Sequence, residues 1–513
     1  MLAAHMYAYM NGPLLFDAVG IYRGAPIWHV ITDRWLANLY WFIDLGMNLP
    51  WFSGLVAIFF MTISVYFISD TFEIKSKLGV VFIAGIFSTH TAIISQHEYT
   101  GCCYYGIIAL AWASIAAWTL TRKELKLLPK SIVGIIFIIF SSATYGSYVS
   151  IVPTVMMFVL LEHIKNGEGS KETFRQALIY LIQFMVGMGL YYLIFRLLYY
   201  FFGVPITTYM GKDKMTSVGV FSSMFRVIPE AYKTLIDYYL ALTWYLPKKL
   251  AKMQCALLII GGIFWLVNLY NHRNTIKKGV LNVILLIAII ILLPLAINLI
   301  YVMASGLVHF LMIFTYCIPL VFFVKQGEEI IYNNESKVKV YFSKVVCISS
   351  CLMFIFLYCG VVMSNAVHVH YKNMFDVALS EGTNIIDRIE NCEGFTGNEK
   401  IILIGAMQWN DYYTKLNDNG THGAEILDAW LGPCNKENIN ALNWGSWTKR
   451  FLQNVLQTTL AIEKYENLHE VILNLHLSDK NIVSIKEMPL FPLHGSVQKI
   501  DDKIYVKFSE LAE

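Results

Sequence analysis

Charge is what this chain lacks most. Asp, Glu, Lys and Arg make up only 15% of its 513 residues, where soluble domains carry about 25%. That shortage excludes an ordinary soluble enzyme of this size. The formal net charge of +3 excludes nucleic-acid binding by bulk electrostatics. No Gly-rich phosphate loop follows a strand, so a nucleotide cradle is not expected. The nine cysteines are scattered without metal-ligand spacing, so neither a metal cluster nor any other cofactor is expected. A secretory signal with a cleavage site is missing, and so is an internal repeat.

Apolar runs are what the chain has instead. It is 57% hydrophobic, with a mean hydropathy of +0.54. Runs of about 18 or more apolar residues recur, each able to cross a hydrocarbon core about 30 Å thick. They read as spans near 1–11 (partial), 50–69, 78–95, 103–120, 131–145, 148–162, 176–202, 254–270, 280–303, 307–324 and 342–362. The first, in MLAAHMYAYMNG, is too short to span alone, and reads as a half-helix or as part of a longer first helix. The fifth and sixth form a tight hairpin through SSATYGSYVS. The expected fold class is an α-helical polytopic membrane protein of about eleven spans, with a small α/β C-terminal domain.

The apolar pattern stops at Asn365. This divides the chain into a membrane part, residues 1–365, and a water-soluble part, residues 366–513. Loops after alternate spans carry the Lys and Arg: KSK near 75, then those at 121–130, 163–175, 271–279 and 324–339. The short loops between them, at 96–102, 145–148 and 304–306, carry none. The positive-inside rule therefore puts the N-terminus in the cytoplasm and residues 366–513 outside, in a bacterium the periplasm. Cys392 and Cys434 in that tail are either a pair or two free thiols.

Polar residues on the outer face are the functional candidates. The first outer loop holds Asp17, Arg23, His29, Asp33 and Arg34 among many aromatics. The second, QHEYTGCCYYG, holds His97, Glu98 and Tyr99. The third holds Lys212 and Lys214. A carboxylate here can take a proton from a hydroxyl nucleophile. Arg and Lys can hold a phosphate as it leaves. Structural roles compete: Trp28, Trp35 and Trp41 read as an aromatic belt, Asp33 as a helix N-cap, Arg34 as a snorkelling side chain and Glu98 as a helix-dipole partner.

In the tail, KIILIGAM and HEVILNLHL read as strands. VQKIDDKIYVKFS reads as a hairpin turned at Asp501 and Asp502, and NMFDVALSEGTNIIDRIE as a helix. The aromatic and amide-rich stretches QWNDYYTKLNDNGTHG and NWGSWTKR suit either carbohydrate contact or a folded cap.

Three regions resemble the GtrII-like family of serotype-converting O-antigen glucosyltransferases. They are AHMYAYMNGPLLFD with DRWL, the stretch from PWFSGLVAIFFMTISVYF to QHEYTGCCYYGIIALA, and the tail with MPLFPLHGSVQKID. The resemblance implies a GT-C-type glycosyltransferase of the bacterial inner membrane. It would take glucose from undecaprenyl-phosphate-glucose and add it to the lipid-linked O-antigen repeat on the periplasmic side. A donor synthase and a flippase are implied as partners, and a surrounding membrane lipid phase, but no nucleic acid. Asp17 matches the first-loop general base and Arg34 the Arg-Trp pair, with Glu98 as a second catalytic acid. Asp33, His97, Tyr99, Lys212 and Lys214 are expected to bind substrate. The chain departs from the family where GCCYY replaces an expected Asp. An O-antigen polymerase and a lipid-linked sugar flippase are the alternatives. A transporter would show inverted repeats and discontinuous helices.

Overall fold

A computed structural model describes residues 1–12, 26–44, 49–97, 103–203, 220–240, 242, 246–273, 280–333, 337–405 and 445–509. It is mostly helical, with one small sheet. Among the described residues, six stretches are long and apolar enough to cross a membrane. They are Pro50–Thr71, Cys103–Thr121, the run Leu127–Lys165, Ser170–Phe202, Lys248–Asn271 and Phe342–Glu390. Shorter apolar helices cover Lys77–Thr89 and Leu281–Ile297.

The run Leu127–Lys165 is a hairpin, as its sequence implies. Helix Leu127–Tyr145 ends at Tyr145, whose extended backbone opens a 3-10 turn over Gly146–Ser150, and helix Ile151–Lys165 follows. Lys123, just before the first arm, pairs with Glu168, just after the second. The chain therefore leaves and returns to the same end.

That end gathers most of the basic loops. Asp70 takes the Arg122 guanidinium and the Trp118 indole N–H. Glu328 accepts from the backbone N–H groups of Lys75 and Ser76 at 2.9 and 3.0 Å, and from the Ser76 hydroxyl. Lys165 is fully buried. Its ammonium lies 2.5 Å from Glu162 and in contact with Glu329, while Gln326 donates to Glu162 at 2.8 Å. Asn268 donates to Gln326 at 2.9 Å, and His272 lies 3.8 Å from Glu329. A buried charge survives only when paired and hydrogen-bonded, so this cluster fixes the register of helices Ile151–Lys165, Lys248–Asn271 and Ile318–Asn333 against one another.

Three expected spans differ in detail. The 78–95 span is interrupted: helix Lys77–Thr89 stops at His90, whose ψ of 137° is extended, and Thr91–Gln96 starts a new helix. The 280–303 span breaks at Asn298 between helices Val280–Ile297 and Leu299–Met303. The 307–324 span is not one helix. Short 3-10 turns at Phe310–Met312 and Phe314–Cys317 lead into helix Ile318–Asn333, which runs on into the charged cluster.

The hydropathy break at Asn365 is not a structural break. One helix of 54 residues, Lys337–Glu390, passes straight through it. Val367, Tyr371, Ala378, Ile385 and Ile389 are buried, and their spacing keeps one face apolar after the rest of the helix turns polar.

The tail contains a four-stranded sheet. We number β1 (Lys400–Ile404), β2 (Ala461–Tyr465), β3 (Val497–Ile500) and β4 (Lys503–Lys507), in the order β2-β1-β4-β3. β1 pairs in parallel with both β2 and β4, while β3 and β4 form the expected hairpin at Asp501 and Asp502. Both faces of β1 are buried, as parallel strands require. One face packs Ile401 and Leu403 on Ile385 and Ile389 of the long helix. The other packs Ile402 and Ile404 on Leu468, Val471 and Ile485.

HEVILNLHL is not a strand. Leu468–Leu475 is helical because the Asn467 side chain accepts from the Glu470 N–H and the Glu470 carboxylate accepts from the Glu466 N–H. This capping outweighs the β-rich run. Strand β2 and helix Asp479–Glu487, capped by Ser478, went unread in the sequence.

Two outcomes follow. Lys165→Met leaves the buried Glu329 and the part-buried Glu162 without their cation, at a cost of about 3–5 kcal/mol, seen as a large fall in melting temperature of the detergent-solubilised protein. In the tail, the Lys499 ammonium at 2.6 Å and the Thr396 N–H hold the Glu399 carboxyl down at about 2. Its stabilisation is complete above the ordinary carboxylate range and disappears as pH falls toward 2. Glu399→Gln should therefore lower the melting temperature at pH 7, and the gap to wild type should close on acidification.

Candidate functional site

Two groups of polar side chains occupy the end of the bundle opposite the charged cluster. Both lie by the N-terminus of helix Cys103–Thr121.

The first is built on the joint between helices Pro26–Ile31 and Ala37–Asp44. Asp33 sits there with φ 62°, a left-handed backbone that Asp tolerates better than most residues. It is thus a joint residue, not the N-cap of the next helix. The Asp33 N–H donates to Val30 O at 3.0 Å and the Arg34 N–H to His29 O at 2.7 Å. From helix Ser170–Phe202, Tyr191 donates to Asp33 O at 3.2 Å and Tyr199 to Ile31 O at 2.6 Å. The Leu36 N–H donates to Ala143 O at 3.0 Å. The joint is therefore clamped from two sides, and Arg34 lies 4.4 Å above the Tyr145 ring. That stacking leaves the planar guanidinium suited to an oxyanion.

His29 faces the same joint. Its Nδ1 lies 2.7 Å from Asn38 Oδ1. Because that oxygen only accepts, Nδ1 carries the proton and Nε2 is the acceptor nitrogen of the neutral ring. Burial pushes the imidazole below its usual value; the Asn38 bond opposes this and the Arg34 charge adds to it. His29 is neutral at pH 7, and its Nε2 can accept a proton.

The second group is a histidine stack that unites three distant segments. His5, His97 and His368 are all buried, and His5 and His97 stack at 4.1 Å with planes 3° apart. Their protons are assigned by their partners. Carbonyls only accept, so His5 Nε2 donates to Ser88 O at 2.7 Å and His97 Nδ1 to Ile93 O at 2.7 Å. His5 Nδ1 then accepts from His368 Nε2 at 2.9 Å, and His97 Nε2 from the Tyr9 hydroxyl at 2.9 Å. Ser364 donates to Ala4 O at 2.6 Å and so cannot also donate to the rings.

Ligand nitrogens of the three rings lie within 4.8 Å of one another, which invites a metal. The geometry does not fit one. Lone pairs of parallel rings run in parallel planes about 4 Å apart, and a zinc ion about 2.0–2.1 Å from each nitrogen cannot lie in both. Turning either ring would break its bond to Ser88, Ile93 or Tyr9. The stack is a hydrogen-bonded tie between helices Leu2–Asn11, Thr91–Gln96 and Lys337–Glu390.

The model for the family described as glucosyl transferase GtrII matches residues 17–325, more than half of the chain. The chain belongs to the glucosyl transferase GtrII family. No curated protein and no solved structure matches it. The GtrII match includes Asp17, Asp33, Arg34, His97, Glu98, Tyr99, Lys212 and Lys214, and stops before the long helix and the tail. The tail likeness therefore lies outside the matched residues. Helix interruption, a mark expected of a transporter, is present in this GtrII chain at His90 and Asn298.

Of the site residues read from sequence, the structure joins Asp33 to Arg34 and places His97 in the histidine stack. Asp17, Glu98, Tyr99, Lys212 and Lys214 lie outside the described residues, as does Cys434. His5 and His368 were missed, although an ionisable residue inside an apolar helix is itself a signal.

His5→Phe should keep a ring in place while leaving the Ser88 carbonyl without its partner and the His368 N–H with only the Ser364 hydroxyl oxygen, 3.2 Å away. A loss of about 1–3 kcal/mol per orphaned group is expected, read as a lower melting temperature in detergent. An unchanged value would mean the stack carries no stability.

Proposed function

We propose that this chain is an integral membrane glucosyltransferase of the bacterial inner membrane. It moves glucose from undecaprenyl-phosphate-glucose to the lipid-linked O-antigen repeat on the periplasmic side, and so converts serotype. The GtrII match over residues 17–325 carries this reading, because it supplies the reaction class and spans every proposed site residue. Six helices fit to cross a membrane support it. The gathering of the basic loops at one end is what the positive-inside rule expects of a cytoplasmic face. The opposite end, with Arg34 and residues 366–513, is then periplasmic.

In this reading the donor lipid lies among the helices with its phosphate by Arg34, Lys212 and Lys214. Asp17 takes the proton from an acceptor hydroxyl, with Glu98 as the second acid. The oxygen attacks the anomeric carbon, the C–O bond to phosphate breaks, and polyprenyl phosphate leaves with both bond electrons. Direct displacement inverts the anomeric centre. Asp33 and Tyr99 shape the acceptor side, and His97 braces it through the stack.

Membranes containing the protein, given polyprenyl-phosphate-glucose and lipid-linked O-antigen, should incorporate glucose without ATP or a nucleotide sugar. Glycan chain extension instead would point to a polymerase. Asp17→Asn should reduce transfer by about 10²–10⁴-fold while the protein remains inserted and equally stable. Near-normal transfer would remove Asp17 from the mechanism.

A further inference from the structure

The interruption at His90 does more than free the Ser88 carbonyl for His5. His90 caps the next helix with its own ring: Nδ1 accepts from the Ala92 N–H at 3.2 Å. That use of Nδ1 puts the proton of the neutral ring on Nε2. His90 is 8% exposed, and its Nε2 has no partner. Across the bundle, Gln254 is 3% exposed. Its Oε1 lies 3.5 Å from the Tyr238 hydroxyl, and its amide nitrogen also has no partner.

These two orphaned donors line one cavity. Its walls include His90, Thr91, whose buried hydroxyl also has no partner, Tyr238, Gln254, Cys317 and Phe356. The cavity volume is about 10 Å³, close to the minimum for one water molecule. No Lys, Arg, Asp or Glu lines it, so it offers a phosphate nothing to pair with. Two N–H donors lining so small a space in an apolar bundle are expensive to leave unpaired. Irregular backbone inside a membrane protein is tolerated where it lines such a space.

We propose that this cavity is a binding site for a single uncharged oxygen, held by His90 Nε2–H and the Gln254 amide. The oxygen is either a resident water or a hydroxyl of the lipid-linked sugar substrate. The substrate arm rests on the glucosyltransferase reading; the water arm does not.

Two variants of the full chain, purified in detergent, separate the outcomes. Gln254→Leu replaces the amide by an apolar group of similar size. His90→Asn keeps a side-chain oxygen able to cap Ala92 but withdraws the donor from the cavity. If water occupies the site, both variants lower the melting temperature and leave KM for polyprenyl-phosphate-glucose unchanged. If a substrate hydroxyl occupies it, the melting temperature holds or rises while KM increases about fivefold, the worth of one hydrogen bond. A fall in melting temperature together with a rise in KM means both use it. Variants that melt at or above wild type with unchanged KM would show a dry cavity and overturn the proposal. Were the protein to transfer no glucose at all, the melting temperatures would still decide for or against the water.

Discussion

Inside an apolar bundle every backbone N–H and C=O must find a partner, and this protein depends on how it meets that demand at His90. The helix that starts at Lys77 stops there and a new one begins. Ser88 O is taken by His5, and the Ala92 N–H by the His90 ring. The break in turn gives His5 the partner that sets its tautomer, and through it that of His368. It also allows close packing. A Cβ on Gly360 would come within 2.7 Å of Thr89, so only glycine lets the long helix approach at this level.

The two ends of the bundle are built on opposite terms. At one, Lys165, Glu162, Glu329, Gln326 and Asn268 satisfy one another in a cluster that ties together the segments around it. At the other, Arg34 is held by stacking on Tyr145 and by a clamped joint. The first is a network of side-chain charges and amides, the second a joint held through its backbone carbonyls and one stacked ring.

Much of this was legible in the sequence. Basic loops after alternate spans could be read because charge avoids hydrocarbon, and they do meet at one end. The hairpin around SSATYGSYVS could be read because that stretch of Ser, Gly and Tyr interrupts an apolar run from 131 to 162, longer than one crossing needs. The histidine stack could not, because His5 and His368 are 363 positions apart, and only packing of the first helix on the long helix Lys337–Glu390 unites them. HEVILNLHL misled because β-rich residues dominate it, while the deciding signal, Asn467 with Glu470, is a local cap. The interruption at His90 is silent in hydropathy, since Thr-His-Thr sits inside a run apolar enough to read as one span.

The long helix Lys337–Glu390 remains one rod from the charged end of the bundle to the sheet of the tail. At 1.5 Å per residue, the part beyond Asn365 alone is about 40 Å long. A rod carries angle as well as distance. Each residue added to it would raise the sheet by about 1.5 Å and swing it by about 100° around the axis. The tail is thus held at a set height and a set bearing, like a signpost arm whose direction is decided at the foot of the post.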